Sequence, residues 1–122
     1  MNQLNLKFDE DRKEFLPGET VSVQLEWELE NKVERIDLRL FFFTRGHGDT
    51  DFELVQKESV EQPERRGKQS FQFSLLSLPY SFEGKLFSII WAIEAELFPL
   101  QEIYREEILV GPNKIQVSQN SE

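Results

Sequence analysis

The sequence predicts an all-β protein, an antiparallel immunoglobulin-like β-sandwich of about seven to eight strands. Three observations lead to this prediction. Apolar and polar residues alternate in several short segments, Gly and Pro turn signals separate those segments, and no segment has the periodicity of an amphipathic helix. Eleven Phe and two Trp residues also favour strands, because aromatic side chains pack well on a pleated surface.

Residues 78–97 contain the strand around which we expect the other strands to pack. They open with a Pro-Tyr-Ser loop and a turn at Gly84, and they continue as a long apolar segment. Because side chains alternate across a strand with a period of two, the odd-numbered residues share one face. Those residues are Phe87, Ile89, Trp91, Ile93, Ala95 and Leu97.

The rest of the chain predicts shorter strands joined by polar turns. A type II turn is expected where Pro17 fixes φ at the second position and Gly18 supplies a positive φ at the third. Charged residues within 52–60 predict an edge strand, and residues 61–68, which include Gly67, predict a loop. The remaining predicted strands are residues 3–8, 19–30, 33–44, 69–75 and 103–110.

Composition and charge narrow the classes of function. A length of 122 residues predicts one sandwich domain over residues 1–118, followed by a polar tail at 119–122. The absence of Cys excludes disulfides, thiolate zinc sites and a Cys nucleophile. A net charge of −9 disfavours binding to nucleic acid or anionic membranes. Without a signal-peptide pattern or a transmembrane-length apolar run, we expect a soluble cytoplasmic protein that does not insert into membranes.

Two motifs resemble those of the arrestin-like family of immunoglobulin-type sandwiches. Residues 15–21, FLPGETV, resemble the aromatic-x-Pro-Gly-Glu-x-Val motif before that family's second long strand. Residues 78–84, LPYSFEG, with IWAIEA at 90–95, resemble its Leu-Pro-Pro-Ser-Phe-x-Gly loop and the strand that follows. The resemblance implies a protein-interaction module of the trafficking or sporulation-control kind. In such a sandwich, Leu78 and Phe82 are expected to plug one end.

The chain departs from the family's pattern in three respects. Family members typically carry two sandwiches in tandem, whereas this chain has length for one. Tyr80 replaces a proline of the loop motif, and Lys7 is the only lysine in the first predicted strand, where a phosphate sensor would need a pair. Binding to phosphorylated receptors is therefore not expected from the resemblance.

The outward side of two predicted strands is the candidate interface. If Phe42 faces the core, Phe41 and Phe43 face outward, and Ile90 and Ala92 lie opposite the core-facing residues of the central strand. The third and sixth strands of an immunoglobulin-type sandwich are neighbours, so these residues would form one exposed apolar patch. Such a patch predicts binding to a protein partner or homodimer formation. The alternative is that a loop, the C-terminal segment or a β-bulge covers or re-aims these side chains.

Two other functions remain as alternatives. A structural subunit of a larger assembly would pair the edge strand at 52–60 with a neighbouring chain. A calcium-dependent binding module would use the loop at 45–51, where His47, Asp49 and Asp51 are candidate metal ligands, but the spacing is not that of an EF-hand and no metal or other cofactor is expected. An enzyme is not expected, because one His, no Cys and no G-x-S-x-G motif leave no nucleophile with an adjacent base.

Overall fold

The computed structural model describes residues 2–46, 51–83 and 87–111. These residues form strands and one short 3-10 turn, Asp9–Asp11, and no helix among them is long and apolar enough to cross a membrane. The predicted all-β class is confirmed. The strands are β1 (Gln3–Phe8), β2 (Glu14–Phe15), β3 (Thr20–Glu28), β4 (Arg35–Gly46), β5 (Phe52–Glu61), β6 (Arg66–Ser74), β7 (Phe82–Glu83), β8 (Phe87–Phe98) and β9 (Glu102–Val110).

The strands form two sheets. One is three-stranded, in the order β1-β3-β6, and the other has the order β2-β9-β8-β4-β5, with β7 paired to β8. Neighbouring strands are antiparallel except for β2, which runs parallel to β9. Strand β8 lies between β4 and β9, and β5 lies at a sheet edge, as the sequence predicts for both.

The inward faces of the two sheets pack into one core. Alternate residues of β3 and β8 supply much of it, because every second side chain of a strand points to the same face. Trp91 has no exposed surface, and its indole N–H donates to the carbonyl of Pro79 at 2.9 Å, so its polar atom is satisfied. The buried residues of these two strands are Val21, Val23, Leu25 and Trp27, and Trp91, Ile93, Ala95 and Leu97.

The predicted turn before β3 is present. Gly18 has a φ of +77°, which is the positive value that the third position of a type II turn requires. The Glu19 N–H donates to the Leu16 carbonyl at 3.2 Å, and the Leu16 N–H donates back to the Glu19 carboxylate at 2.7 Å. This turn also contacts the segment that follows β6, because the Gly18 N–H donates to the Leu76 carbonyl at 3.1 Å.

The end of the sandwich near this turn differs from the prediction. Leu78 and Phe82 are exposed and do not plug it, whereas Phe15 and Leu75 are buried in the core. Two hydrogen bonds explain the difference, because they attach Ser81 of this loop to Val110 of β9. The Ser81 N–H donates to the Val110 carbonyl at 2.6 Å, and the Ser81 hydroxyl accepts from the Val110 N–H at 2.9 Å. The neighbouring side chains project outward, and the exposed apolar residues here are Leu16, Leu76, Leu78, Tyr80 and Phe82.

Strand β6 also begins earlier than predicted. It starts at Arg66, so Gly67 lies inside a strand and pairs with Trp27 of β3. Gly67 predicts a loop in the sequence, but in the structure the absence of its side chain leaves room for the indole ring of Trp27. The predicted turn at Gly84 and the predicted tail at 119–122 lie outside the described residues.

Candidate interaction surface

The structure brings the four predicted interface residues together. The register of β4 and β8 pairs Phe41 with Ala92 and Phe43 with Ile90. They form an apolar cluster separate from the main core, and the rings of Phe41 and Phe43 stack with centroids 5.8 Å apart. Phe42, between them, turns inward and lies 5.0 Å from the ring of Trp91. The cluster therefore lies on the outer face of the six-stranded sheet.

The predicted exposure of this cluster is wrong for three of its four members. Phe41 and Ala92 have no exposed surface and Phe43 is 6% exposed, while Ile90 is half-buried. Described neighbours that cover the rings include Phe52, whose ring centroid lies 4.7 Å from that of Phe41. Two guanidinium groups also lie over the rings. The four residues are a buried centre, and their role in an interface stays a prediction.

A β-bulge places two exposed apolar side chains, Phe52 and Leu54, at the rim of this buried centre. Between β4 and β5 the register shifts so that Leu40 pairs with Gln56 and Phe41 pairs with Leu54. The extra residue, Val55, packs against the core, and the shift turns Leu54 and Phe52 to the outer face beside Phe41.

On the far side of the cluster, Leu109 points outward because its neighbours in β9 are buried in the core. Phe52 is 52% exposed and Leu54 is 47% exposed, and Leu109 is similarly open. We call the apolar half of the face Phe41, Phe43, Phe52, Leu54, Ile90, Ala92 and Leu109.

The other half of the same face is a network of ion pairs. Arg39 is at its centre, since its guanidinium donates to Glu94 at 3.1 Å and to Glu96 at 2.9 Å and lies 3.4 Å from Asp37. Arg105 donates to the other oxygen of Glu94 at 3.0 Å. We call this set the charged half: Arg35, Asp37, Arg39, Lys57, Glu94, Glu96 and Arg105.

The carboxylates of the charged half are buried beneath their partners. Only 1% of the Asp37 side chain is exposed, and it accepts hydrogen bonds from the Ser59 hydroxyl at 2.8 Å and from Arg35 at 3.2 Å. Glu94 and Glu96 are also largely covered. Carboxylates can be buried on a sheet face only when they are paired and hydrogen-bonded, and both conditions hold here.

The outer face of the three-stranded sheet is polar throughout. Its strands place their apolar side chains inward, and the outward residues alternate with them. Among the residues that the structure describes, the outer face of the six-stranded sheet carries apolar side chains and that of the three-stranded sheet does not, so the two faces differ in kind. The outward residues of β1, β3 and β6 are Gln3, Asn5, Lys7, Thr20, Ser22, Gln24, Glu26, Glu28, Arg66, Lys68, Ser70, Gln72 and Ser74.

A groove of about 880 Å³ lies where β1, β3 and β6 meet the end of β9. Its lining includes Trp27, Gly67 and Tyr104. Burial raises the pKa of Tyr104 above its ordinary value of 10.0, and the nearby carboxylate of Glu102 adds to the rise. The hydroxyl of Tyr104 donates to the carbonyl of Asn2 at 3.2 Å, so the polar atoms here join the N-terminus to β9.

The candidate metal loop is described only in part. His47 and Asp49 lie outside the described residues. Asp51 is exposed; its N–H donates to the Thr44 hydroxyl at 3.2 Å, and its carbonyl accepts from the Thr44 N–H at 2.9 Å. Within the described ranges, no group of three or more His, Cys, Asp or Glu side chains is arranged to hold a metal ion. Calcium binding by this loop stays a hypothesis.

Comparison with solved structures identifies the architecture. The sporulation control protein Spo0M from Bacillus subtilis superposes with a TM-score of 0.67 at 16% sequence identity, over 97% of this chain and 53% of that one. The fold is arrestin-like. The chain spans about half the length of Spo0M, and at this identity the likeness establishes the fold alone. No family model matches the sequence, and no curated protein matches it.

Two further structures superpose less closely. A mutant β-glucosidase from Listeria innocua in complex with laminaribiose has a TM-score of 0.50 at 16% identity, over 91% of this chain and 16% of that one. The superoxide reductase (neelaredoxin) from Ignicoccus hospitalis has a TM-score of 0.47 at 12% identity, over 88% of this chain and 80% of that one.

Proposed function

We propose that this chain is a non-catalytic binding module that engages another protein through the apolar half of the six-stranded sheet. The observation that supports the proposal is the difference between the two outer faces: one is polar throughout, and the other exposes Phe52, Leu54 and Leu109. Contiguous apolar surface on one side of a domain marks an interaction site. The arrestin-like fold supports a regulatory role, since Spo0M is a sporulation control protein.

The buried centre and the exposed rim would have different roles in binding. Phe41, Phe43 and Ala92 are covered, so they fix the position of the residues around them. Phe52, Leu54 and Leu109 extend to solvent and would enter a partner's pockets as the apolar anchors of the interface. Because Phe41 has no exposed surface, replacing it would alter stability, and a test of binding has to change the rim.

The experiment compares two variants that remove similar apolar surface from different places. The test variant combines Phe52→Ser with Leu54→Ser, and the matched control combines Leu76→Ser with Leu78→Ser at the end of the sandwich. Each is immobilised and exposed to an extract of its own cells, and retained proteins are quantified by mass spectrometry. We expect a protein that the wild type and the control retain and the test variant does not. Retention by the test variant at unchanged affinity would refute the proposal.

Pairing at the free edge of β5 is the second candidate, and the position of β5 at the sheet edge favours it. In that arrangement the main chain of β5 carries the affinity through added ladder hydrogen bonds. Edge pairing therefore predicts that Phe52→Ser with Leu54→Ser leaves binding largely intact, whereas Leu54→Pro abolishes it. Docking on the apolar half predicts loss of binding in the serine variant.

A further inference from the structure

We infer that residues 112–117, which follow β9 in the chain, bind to the exposed apolar residues at one end of the sandwich and cover them. We call those residues the apolar end: Leu16, Leu76, Leu78, Tyr80 and Phe82. The inference goes beyond the proposed function and does not depend on it, because the apolar end contains none of the residues of the apolar half.

Hydrogen bonds of the backbone hold the apolar end in place. The Gly18 N–H donates to the Leu76 carbonyl at 3.1 Å and the Leu75 N–H donates to the Glu19 carbonyl at 3.0 Å, so the turn before β3 is attached to the segment after β6. Leu78 is 63% exposed, and the other four residues of the apolar end are between 40% and 49% exposed. Several large apolar side chains exposed together on neighbouring segments mark a surface that another segment or molecule covers.

The described part of the chain ends at Gly111, which lies beside this surface. The Gly111 N–H donates to the carbonyl of Phe15 at 3.0 Å, one residue before the apolar end begins at Leu16. Val110 is hydrogen-bonded to Ser81, which lies between two residues of the apolar end. The residues that follow Gly111 therefore start next to the apolar end.

The sequence after Gly111 is compatible with binding there. Pro112 has no N–H to donate, which disfavours continuation of the β9 ladder. Ile115 and Val117 are two residues apart, the spacing that directs both side chains to one side of an extended segment. At 3.3–3.6 Å per residue, they reach at most about 14 Å and about 22 Å from Gly111, so the apolar end is accessible to both.

The covalent connection favours this segment over a separate protein as the occupant. A segment on a short flexible tether has an effective concentration on the order of millimolar near its site. The contact of two apolar side chains can then suffice, because binding of a tethered segment avoids most of the loss of translational and rotational freedom that two separate proteins incur.

The absence of Cys from the chain allows a direct test with engineered disulfides. The test variant combines Leu78→Cys with Ile115→Cys, and the control combines Lys13→Cys with Ile115→Cys. Lys13 is a suitable control because it is 50% exposed, lies outside the apolar end and accepts a backbone hydrogen bond from Leu109, close to Gly111. Each variant is oxidised at low micromolar concentration, and the intramolecular disulfide is quantified by mass spectrometry. We expect the test pair to form its disulfide about tenfold faster than the control pair.

A second measurement leaves the apolar end itself unchanged. Ile115→Ser with Val117→Ser removes the proposed contacts, and Lys114→Ser with Gln116→Ser changes the polar residues of the same segment as a control. Hydrogen exchange is measured at the backbone amides of residues 76–80. We expect exchange about tenfold faster than in the wild type for the first variant and unchanged exchange for the control, because a covered loop opens less often.

The results that would overturn the inference identify the other occupants. Equal disulfide rates in the two pairs, or unchanged exchange in Ile115→Ser with Val117→Ser, would overturn it. Rapid disulfide formation between two copies, when the single variants Leu78→Cys and Ile115→Cys are mixed, would show that the segment of a second copy occupies the surface. Loss of a retained cellular protein only with Leu76→Ser and Leu78→Ser would show a foreign occupant. None of these outcomes involves the apolar half, so the proposed function is tested separately.

Discussion

The indole of Trp27 occupies the space that a side chain at Gly67 would fill. Gly67 of β6 pairs with Trp27 of β3, and both positions face the core. A Cβ atom built on Gly67 would lie 2.6 Å from Cζ2 and 2.9 Å from Cε2 of the indole. The ring is held there because its N–H donates to the Glu64 carbonyl at 2.8 Å. Glycine is therefore required at this position by close packing, although its φ is ordinary for a strand.

The prediction at this scale concerns Gly67→Ala. Alanine normally stabilises a strand position relative to glycine by about 0.5–1 kcal/mol. Here the added methyl group must displace the indole, and such overpacking costs about 1–3 kcal/mol, so we expect a net loss of stability. Urea denaturation measures it, with Lys68→Ala as the control on the exposed side of the same strand. An unchanged unfolding midpoint for Gly67→Ala would contradict the packing argument.

At the scale of elements, the charged half joins four strands through their side chains, and Lys57 on β5 contributes by lying 3.8 Å from Asp37 on β4. Arg39 on β4 contacts Asp37 on its own strand and both Glu94 and Glu96 on β8, and Arg105 on β9 reaches Glu94 from the other side. Removal of the central cation would leave largely buried carboxylates with fewer partners. Removing one partner of a buried ion pair destabilises a protein much more than replacing both partners with apolar residues does.

We therefore expect Arg39→Met to lower the free energy of unfolding by about 3–5 kcal/mol. The matched control is Arg66→Met, which removes an exposed ion pair with Glu28 at 2.8 Å on the other sheet and is expected to cost less than about 1 kcal/mol. Denaturant unfolding of both variants provides the measurement. Equal losses in the two variants would show that the network contributes no more than an ordinary surface pair.

The edges of the two sheets are linked by Gln56. Its side-chain amide accepts a hydrogen bond from the Ser74 N–H at 3.0 Å and donates one to the Gln72 carbonyl at 3.0 Å. Gln56 thus satisfies two backbone groups on the free edge of β6, as a neighbouring strand would. Gln56 pairs with the core-facing Leu40, so its amide points toward the other sheet.

Gln56→Leu removes both of these hydrogen bonds with little change in volume. We expect a loss of about 0.5–1.5 kcal/mol in stability and faster hydrogen exchange at the Ser74 amide. Nuclear magnetic resonance measures the exchange rate residue by residue, with the exposed substitution Gln72→Ala as the control. Protection of the Ser74 amide equal to that of the wild type would contradict a bridge between the sheets.

At the scale of the whole molecule, the six-stranded sheet has buried side chains on both of its faces, whereas the described residues of the three-stranded sheet are buried on its inner face. The inner face of the six-stranded sheet packs against the core, and its outer face has a buried centre of its own at Phe41 and Ala92. Stability and binding are therefore expected to depend on different residues of the same outer face. The covered rings lie in a buried cluster, whereas the rim residues Phe52 and Leu54 are exposed to solvent.

This division predicts unequal losses of stability when two neighbouring rings are removed. Phe41→Ala leaves a cavity and should lower the free energy of unfolding by about 3–5 kcal/mol. Phe52→Ala, half exposed and 4.7 Å away between ring centroids, should cost less than about 2 kcal/mol. Urea unfolding compares the two variants, and a larger loss for Phe52→Ala would place the structural centre of this face at the strand edge.

The sequence pattern was sufficient to predict the fold class, the turn at Gly18, the inner position of β8 and the pairing of the strands that carry Phe41 and Ala92. Alternation and turn chemistry are local properties, so a sequence records them directly. Three-dimensional packing was needed to show that Phe41 is covered, that Gly67 lies in a strand and that Phe52 forms part of the rim. Burial depends on which distant segments lie across a face, and a single bulge at Val55 shifts the register by one residue and exchanges the faces of β5.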